Sequence, residues 1–354
     1  MSAPNDQTQN AGDHSTNLQV AGSVIIKTGS DISYRDVRDI ALDVFRGNFE
    51  KLTKAAGDIA SKRAEEITDK FLKELAKDNP AGLQKAGNPD FQLALYTAQR
   101  EFARTGDESL GNLLVALLVD RSKQHSRDIV EIVLTESLAV APKLTTDQLA
   151  TLKAAFYFRY SKLVGVLFFE TLQFQLEMQL RHFADDVSSK QTCFQHLEFA
   201  GCATVSMGSV KLADVFQKFY PNAFSKGIQR EWILSTLPGL LTIDGLFKAD
   251  PVDAANMMIT VGQNEEEIRK FLVEKNTSKE SIDRLIQQWN STLLSTDEIK
   301  KKIITALPRM GKIFEVWDTS ALGHLQLTSV GIAIGHAYLK SRSGLNPELS
   351  IWIN

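Results

Sequence analysis

Polar and apolar positions alternate over residues 17–28, where Leu18, Val20, Val24 and Ile26 fall on one face and Asn17, Gln19, Ser23 and Lys27 on the other, with Ile25 out of step. A period of two predicts a half-buried β-strand. A lone strand cannot satisfy its own backbone, so its partner is either a distant piece of this chain or a second copy of it. The terminal run at residues 349–353, alternating Leu349, Ile351 and Ile353, is the intramolecular candidate. Residues 1–16 hold almost nothing to bury and predict a disordered leader.

From Ser33 the period changes. Ser33 and Asp36 form a variant capping box, after which Val37, Ile40, Val44, Phe45, Phe49, Leu52, Ile59, Ile67, Phe71, Leu72 and Leu75 recur in the steps of a helical stripe. Continued to Lys77, that helix would run about 60 to 70 Å, unless Gly47 or Gly57 breaks it. Both an intermolecular coiled coil and a bent helical hairpin fit the stripe. A helical bundle follows, with further helix starts near Asp90, Asp107 and Ser126. A second capping box at residues 145–148 leads into an apolar run around residues 164–169. Asp185, Asp186, Ser188 and Ser189 mark the best domain boundary. Beyond them Pro221, Gly227, Pro238, Gly239, Gly245 and Pro251 punctuate short helices, with a short strand expected over residues 205–210 and a strong capping box from Ser295 to Glu298. The expected fold is mainly α: a leader and assembly strand (1–30), a long helix and helical bundle (31–188), and a mostly helical C-terminal domain with minor strands (189–354).

A length of 354 residues fits about two domains, and 43% hydrophobic with 23% charged residues is ordinary for a globular protein. The net charge of -3 predicts neither a general affinity for nucleic acid nor an acidic tail, and leaves room for local basic patches. Two cysteines are too few for a disulfide framework, the start lacks the order of a signal peptide, and no apolar run is long enough to span a bilayer. A cytoplasmic protein without membrane insertion is expected.

The chain has no phosphate-binding loop, dinucleotide fingerprint, His-Glu-x-x-His or Gly-x-Ser-x-Gly motif. The nearest metal constellation is His182, Cys193, His196 and Cys202, four ligands of types that suit zinc, although isolated buried cysteines usually serve as small hydrophobes. His182 with Asp185 and Asp186 has the spacing of a base and two carboxylates on one helical face. Arg100, Glu101, Arg159 and Glu170 lie in or beside apolar helices and predict a buried Arg–Glu network. Lys300, Lys301 and Lys302, with Arg309, Lys312, Lys340 and Arg342 downstream, offer a basic stripe for phosphates, against the simpler expectation of a solvated face.

Two segments resemble bacterial families. Ser-Thr-Asn-Leu-Gln-Val-Ala-Gly-Ser-Val-Ile-Ile at residues 15–26 resembles the strand that precedes effector or sensor regions in bacterial conflict and phage-defence proteins. Leu-Thr-Ser-Val-Gly-Ile-Ala-Ile at residues 327–334 is similar to the Leu-Thr-x-x-Gly segment that closes several helical abortive-infection families. The resemblance implies a helical interaction or sensing component of bacterial defence, and neither segment carries a catalytic residue. Packing alone also accounts for the second: Thr328 can cap a helix, and Gly331 permits a close helix approach.

The sequence therefore predicts a non-enzymatic homo-oligomer without a cofactor, assembled through Leu18, Val20, Val24, Ile26, Val37, Ile40 and Val44, with an additional protein partner possible. The alternatives are a metal-dependent hydrolase or nuclease built from the neighbourhood of His182, Asp185, Asp186, Cys193 and His196, and a nucleic-acid-binding module using Lys300, Lys301 and Lys302.

Overall fold

A computed structural model describes residues 33–48, 53–124, 127–262, 264–343 and 348–353. The leader and the strand carrying Leu18, Val20, Val24 and Ile26 lie outside the described residues. The chain is mainly α, and among the described residues no helix is long and apolar enough to cross a membrane.

The first elements are α1 (Tyr34–Asn48), α2 (Lys54–Asp78), α3 (Pro89–Thr105), α4 (Glu108–Ser122) and α5 (Ile129–Val140). Then come α6 (Thr146–Ala155), α7 (Phe169–Leu180), α8 (Gln191–Phe199), β1 (Ala203–Val205), α9 (Leu212–Phe219), β2 (Ile228–Gln229) and α10 (Arg230–Thr236). The last are β3 (Phe247–Ala249), β4 (Asn256–Ile259), α11 (Glu265–Glu274), α12 (Lys279–Thr292), α13 (Thr296–Ala306), α14 (Met310–Thr319), β5 (Leu325–Leu327) and α15 (Ser329–Ser343). They form two compact units: Met1–Thr145 with Ser329–Asn354, and Thr146–Thr328.

In the first unit the Ser33 box forms as expected, with the Ser33 N–H donating to Asp36 Oδ2 at 2.9 Å and the Asp36 N–H donating to Ser33 Oγ at 3.3 Å. The single long helix does not form. The stripe divides between α1 and α2, which pack on each other and on α3. Gly57 is not the break, because it sits in the first turn of α2 with its N–H bonded to the Thr53 carbonyl at 2.8 Å. Val37, Ile40 and Val44 are buried and line a small space with Ala86, Phe91 and Leu95, so the stripe is consumed by this unit's own core. Asn88 caps α3 by accepting the Asp90 N–H at 2.9 Å, and α3 ends on Gly106 at φ +65°. The positive φ is what requires glycine there; a side chain would also stand 2.6 Å from the Arg63 guanidinium, the movable end of a flexible side chain that bonds the Ala103 carbonyl at 3.0 Å. Helix α4 is buried on all sides through residues 113–119, as an apolar run without a polar face demands. The element that covers it with α5 is α15, from the far end of the chain.

The second unit has an aromatic centre. Helix α6 runs into a π-helical turn, Phe156–Tyr160, which brings Phe158 edge-on to Tyr157, Phe216 and Trp317 with ring centroids 5.2, 5.8 and 6.0 Å away. A separate aliphatic core, including Ile228, Leu246, Ile259, Leu272, Leu285 and Trp289, lies under the antiparallel sheet β2–β4–β3. Strands β1 and β5 pair antiparallel with Ala203 opposite Leu327 and Val205 opposite Leu325. Side chains take up this ladder's outward backbone groups. Arg159 Nη1 donates to the Leu325 carbonyl at 2.7 Å, Tyr160 Oη accepts the Leu327 N–H at 2.9 Å, and Glu198 Oε1 accepts the Val205 N–H at 2.8 Å. An added strand would have to displace them.

Three sequence expectations need correction here. The strand sought at residues 205–210 is β1 and ends at Val205. Residues 349–353 are not a strand but a short 3-10 turn, Leu349–Ile351, closed by the Trp352 N–H on the Leu349 carbonyl at 3.0 Å. Leu349 and Ile353 are buried at a helical i, i+4 spacing, whereas Ile351 is 65% exposed. The boundary expected at Asp185 to Ser189 falls inside the second unit, where Val187 and Ser188 are buried and the Ser188 N–H donates to Thr151 Oγ1 at 3.1 Å. Its polar residues serve a packed turn rather than a linker.

Candidate functional site: a charged hub and a lysine-lined cleft

The apolar run of α4 ends on Asp120, Arg121 and Ser122, whose exposures are only 6%, 3% and 0%. Three consecutive buried polar side chains each require a partner, since an unpaired buried charge costs several kcal/mol. The partners come from four other elements. Asp120 receives Lys340 Nζ of α15 at 2.8 Å and Lys123 Nζ at 3.3 Å, with His336 Nδ1 3.7 Å away. Lys340 also reaches Asp78 at the end of α2, at 3.2 Å. Arg121 pairs with Glu131 of α5 at 3.1 Å and with Asp90 of α3, donates to Thr135 Oγ1 at 2.9 Å, and lies over the Phe91 ring. Ser122 Oγ accepts from Asn79 Nδ2 at 3.0 Å. Burial pulls the Lys340 ammonium down, but the Asp120 and Asp78 carboxylates more than offset this and hold its pKa above the ordinary lysine value.

A cleft of about 460 Å³ opens beside this hub among α2, α4 and α15. Its charged lining is Lys70, Lys73, Glu74, Lys77 and Asp78 from α2 with Lys340, and its apolar lining is Val115, Ala116 and Val119 from α4. Four lysines and two carboxylates line it, but Lys340 is also held by Asp120, and Lys70 by two carboxylates outside the lining. Lys70 is tied to Glu66 at 3.0 Å and to Glu108; burial lowers its pKa, but the two carboxylates raise it further. Lys77 stands 3.8 Å from Glu74, and Lys73 has no ion-pair partner among the described residues. Arg121 also lines a second, polar cleft of about 520 Å³, with the cations Lys85 and Arg127 and the carboxylates Asp90 and Glu131. Burial, reinforced by the Arg121 charge, pulls the Lys85 pKa down there.

The residues singled out in the sequence lie elsewhere, Lys340 excepted. Cys193 and Cys202 are buried and their thiols bond locally, Cys193 to Thr151 Oγ1 at 3.8 Å and Cys202 to the Ala200 carbonyl at 3.9 Å. Burial raises both thiol pKa values, Cys202 to about 12. His196 Nδ1 lies 2.8 Å from Gln148 Nε2, and His182 sits in the turn after α7. Among the described residues no group of three or more His, Cys, Asp or Glu side chains is placed to hold a metal ion, so His182, Cys193, His196 and Cys202 do not form the four-ligand set.

Asp185 and Asp186 lie in a 3-10 turn rather than one turn beyond His182 on a helix, and Asp185 pairs with Arg309 at 3.9 Å. The Arg–Glu network is not buried: Arg100 and Arg104 both pair with Glu101 at the surface, while Arg159 caps the β5 edge. Lys300, Lys301 and Lys302 of α13 do not form one basic face. Lys300 pairs with Asp318 at 2.8 Å, Lys302 is half-buried over the Phe169 ring at 4.5 Å, and Lys301 alone is exposed. Burial pulls the Lys302 pKa down.

Sequence reasoning missed the hub. Its local signal was an apolar run that ends abruptly on Asp-Arg-Ser, and the cleft's signal was lysine at positions 70, 73 and 77 on one face of a helix read only for its apolar stripe.

No curated protein and no solved structure gives a significant match to this chain. Residues 32–353 match a family model described only as ":-like", a description that names no activity, and the chain belongs to that family.

Proposed function

We propose that this is a non-enzymatic interaction or sensing protein whose first unit binds a small anionic ligand in the cleft among α2, α4 and α15. The observation that carries the reading is the composition of that cleft: four lysines line it, and Lys73 among them has no ion-pair partner among the described residues. The setting in bacterial defence rests on the resemblance of residues 15–26 and 327–334. Homo-oligomerisation remains part of the proposal through Leu18, Val20, Val24 and Ile26, because Val37, Ile40 and Val44 are already used within the unit's core.

The test is a titration of the full-length protein with anilinonaphthalene sulfonate, a fluorescent anion with an apolar body. One saturable site is expected. The variant Lys73→Glu with Lys77→Glu replaces two lining cations by two anions and should weaken that site about tenfold or more. Equal affinity in the two proteins would remove the cleft from consideration.

A further inference from the structure

We propose that Lys302 is a reactive amine that condenses with a small apolar aldehyde, forming a reversible imine in the groove between α7 and α13. The site lies within the second unit and does not depend on the anion cleft of the first. The first argument is what holds the ammonium. A lysine four residues after a glutamate on a helix ordinarily meets that carboxylate, and Glu298 stands at that position. Glu298 is engaged elsewhere: its Oε2 accepts the Ser295 N–H and the Ser295 hydroxyl, both at 2.9 Å, and its Oε1 accepts from Lys226 Nζ at 3.4 Å. Lys302 Nζ has no ion-pair or hydrogen-bond partner among the described residues and lies 4.5 Å from the centre of the Phe169 ring. A ring face holds a cation less firmly than a carboxylate does. Burial therefore pulls the Lys302 pKa down, and the charges of Glu170 and Asp250, neither within ion-pair distance, offset only part of this. Only the neutral amine carries the lone pair that attacks a carbonyl carbon.

The second argument is the groove. It measures about 420 Å³ and is lined by Phe169 and by Glu298, Lys301, Lys302, Thr305 and Ala306 of α13. Phe169 and Ala306 give it an apolar wall. An uncharged apolar body suits this lining better than an anionic one, because Lys302 is consumed in the reaction and Glu298 faces the same space. The step balances without a further reactant. The Nζ lone pair forms the C–N bond as the carbonyl π pair moves to oxygen, and one N–H proton passes to that oxygen. The nitrogen lone pair then expels the hydroxyl, and the last N–H proton leaves with it as water.

The test treats the full-length protein with butanal and sodium cyanoborohydride at neutral pH, so that each imine is trapped as a stable secondary amine and mapped by mass spectrometry. Lys301, exposed and next on the same helix, is the internal reference. Lys302 should be alkylated about tenfold or more faster than Lys301, and its rate should level off at a lower pH. Ala306→Glu supplies a carboxylate four residues after Lys302 and should slow it several-fold, whereas Ala306→Gln, of the same size without the charge, should slow it less. With glyoxylate, an anionic aldehyde, the ratio of Lys302 to Lys301 should fall. Lys302 reacting no faster than Lys301, or equally fast in the native chain and in Ala306→Glu, would overturn the reactive amine. An equal ratio for butanal and glyoxylate would overturn the apolar class of its partner.

Discussion

The two units solve the problem of a buried interior with different chemistry. The first joins its helices at a point where charges are buried: Asp120, Arg121, Lys340 and their partners come from five elements and meet at the end of α4. The second closes around rings, with Phe183, Phe216 and Trp317 each packed on Phe158. Rings gain from contact area, so the second unit is sensitive to lost volume. Buried charges gain little net free energy, because desolvation consumes most of the Coulombic attraction, but removing one member strands the other. A charged hub is therefore a poor investment in stability alone. Its placement beside a lysine-lined cleft gives it a second use, since it fixes Lys340 and Asp78 in the cleft wall.

The comparison predicts its largest effect at Trp317, which is buried with its Nε1–H donating to the Val210 carbonyl at 2.8 Å. Trp317→Ala should cost about 3 to 5 kcal/mol, read as a lowered urea midpoint with loss of amide protection first in α9 and α14. Asp120→Ala should cost somewhat less, about 3 kcal/mol, because Lys340 retains Asp78. The contrast sharpens in the double variant Asp120→Leu with Lys340→Met. Replacing both charges should recover stability to within about 1 kcal/mol of the native chain, whereas no second substitution of that kind rescues Trp317→Ala. A double variant as unstable as Asp120→Ala would show that the hub stabilises the first unit directly, and the distinction between the units would fail.

Local signals made much of the fold legible. Ser33 and Ser295 announce their helices through a hydroxyl and a carboxylate three residues apart, and both boxes form. The apolar run of α4 has no polar face, so its burial follows from composition. What the sequence hid is non-local. Nothing in residues 329–343 says that they return to α4, and the partner of Asp120 lies 220 positions away. The terminal alternation Leu349, Ile351, Ile353 suits a strand as well as it suits a turn that buries positions i and i+4, and only the neighbours decide. The candidate site was hidden for the same reason. Lys73 and Lys77 were visible as one helical face, but the valines and alanine opposite them belong to another helix.

Alkaline pH offers a second separation of the units, of moderate size. In the second unit the folded pKa values of Cys193, Cys202, Tyr157 and Tyr220 are all raised by burial. A raised pKa contributes stability that is complete below the unfolded value and is lost as pH rises through the folded one. For Cys202 that window runs from 9.0 to about 12. Lys302 acts in the opposite sense, since its lowered pKa disfavours the folded state below 10.5 and the penalty fades as pH rises towards that value. In the first unit Lys340 is raised above 10.5, so the hub keeps its contribution until pH passes the ordinary lysine value. Hydrogen exchange followed from pH 8 upward should therefore show protection falling first in α8 and the segment around Cys202, and later in α4 and α15. The reverse order would mean that the charged hub, not the buried thiols and phenols, is the alkaline weak point.

The smallest expected effect serves as the control, because helix capping is a local device that both units use alike. Asp107 Oδ1 accepts the Leu110 N–H at 3.0 Å to start α4, and Ser295 Oγ accepts the Glu298 N–H at 3.3 Å to start α13. Both caps stand outside the hub and the aromatic core. Asp107→Ala and Ser295→Ala should each cost about 1 kcal/mol, because each strands one helix N–H that the solvent can only partly recover. Ser295 also anchors a reciprocal bond, its N–H donating to Glu298 Oε2 at 2.9 Å, so Glu298→Gln should cost less than Ser295→Ala by keeping an acceptor in place. Equal small losses in the two units would show that the different behaviour of Trp317→Ala and Asp120→Ala comes from their buried chemistry. A loss several times larger at Asp107 than at Ser295 would show instead that the first unit responds strongly to any disturbance of α4, and the special standing of its charges would go with it.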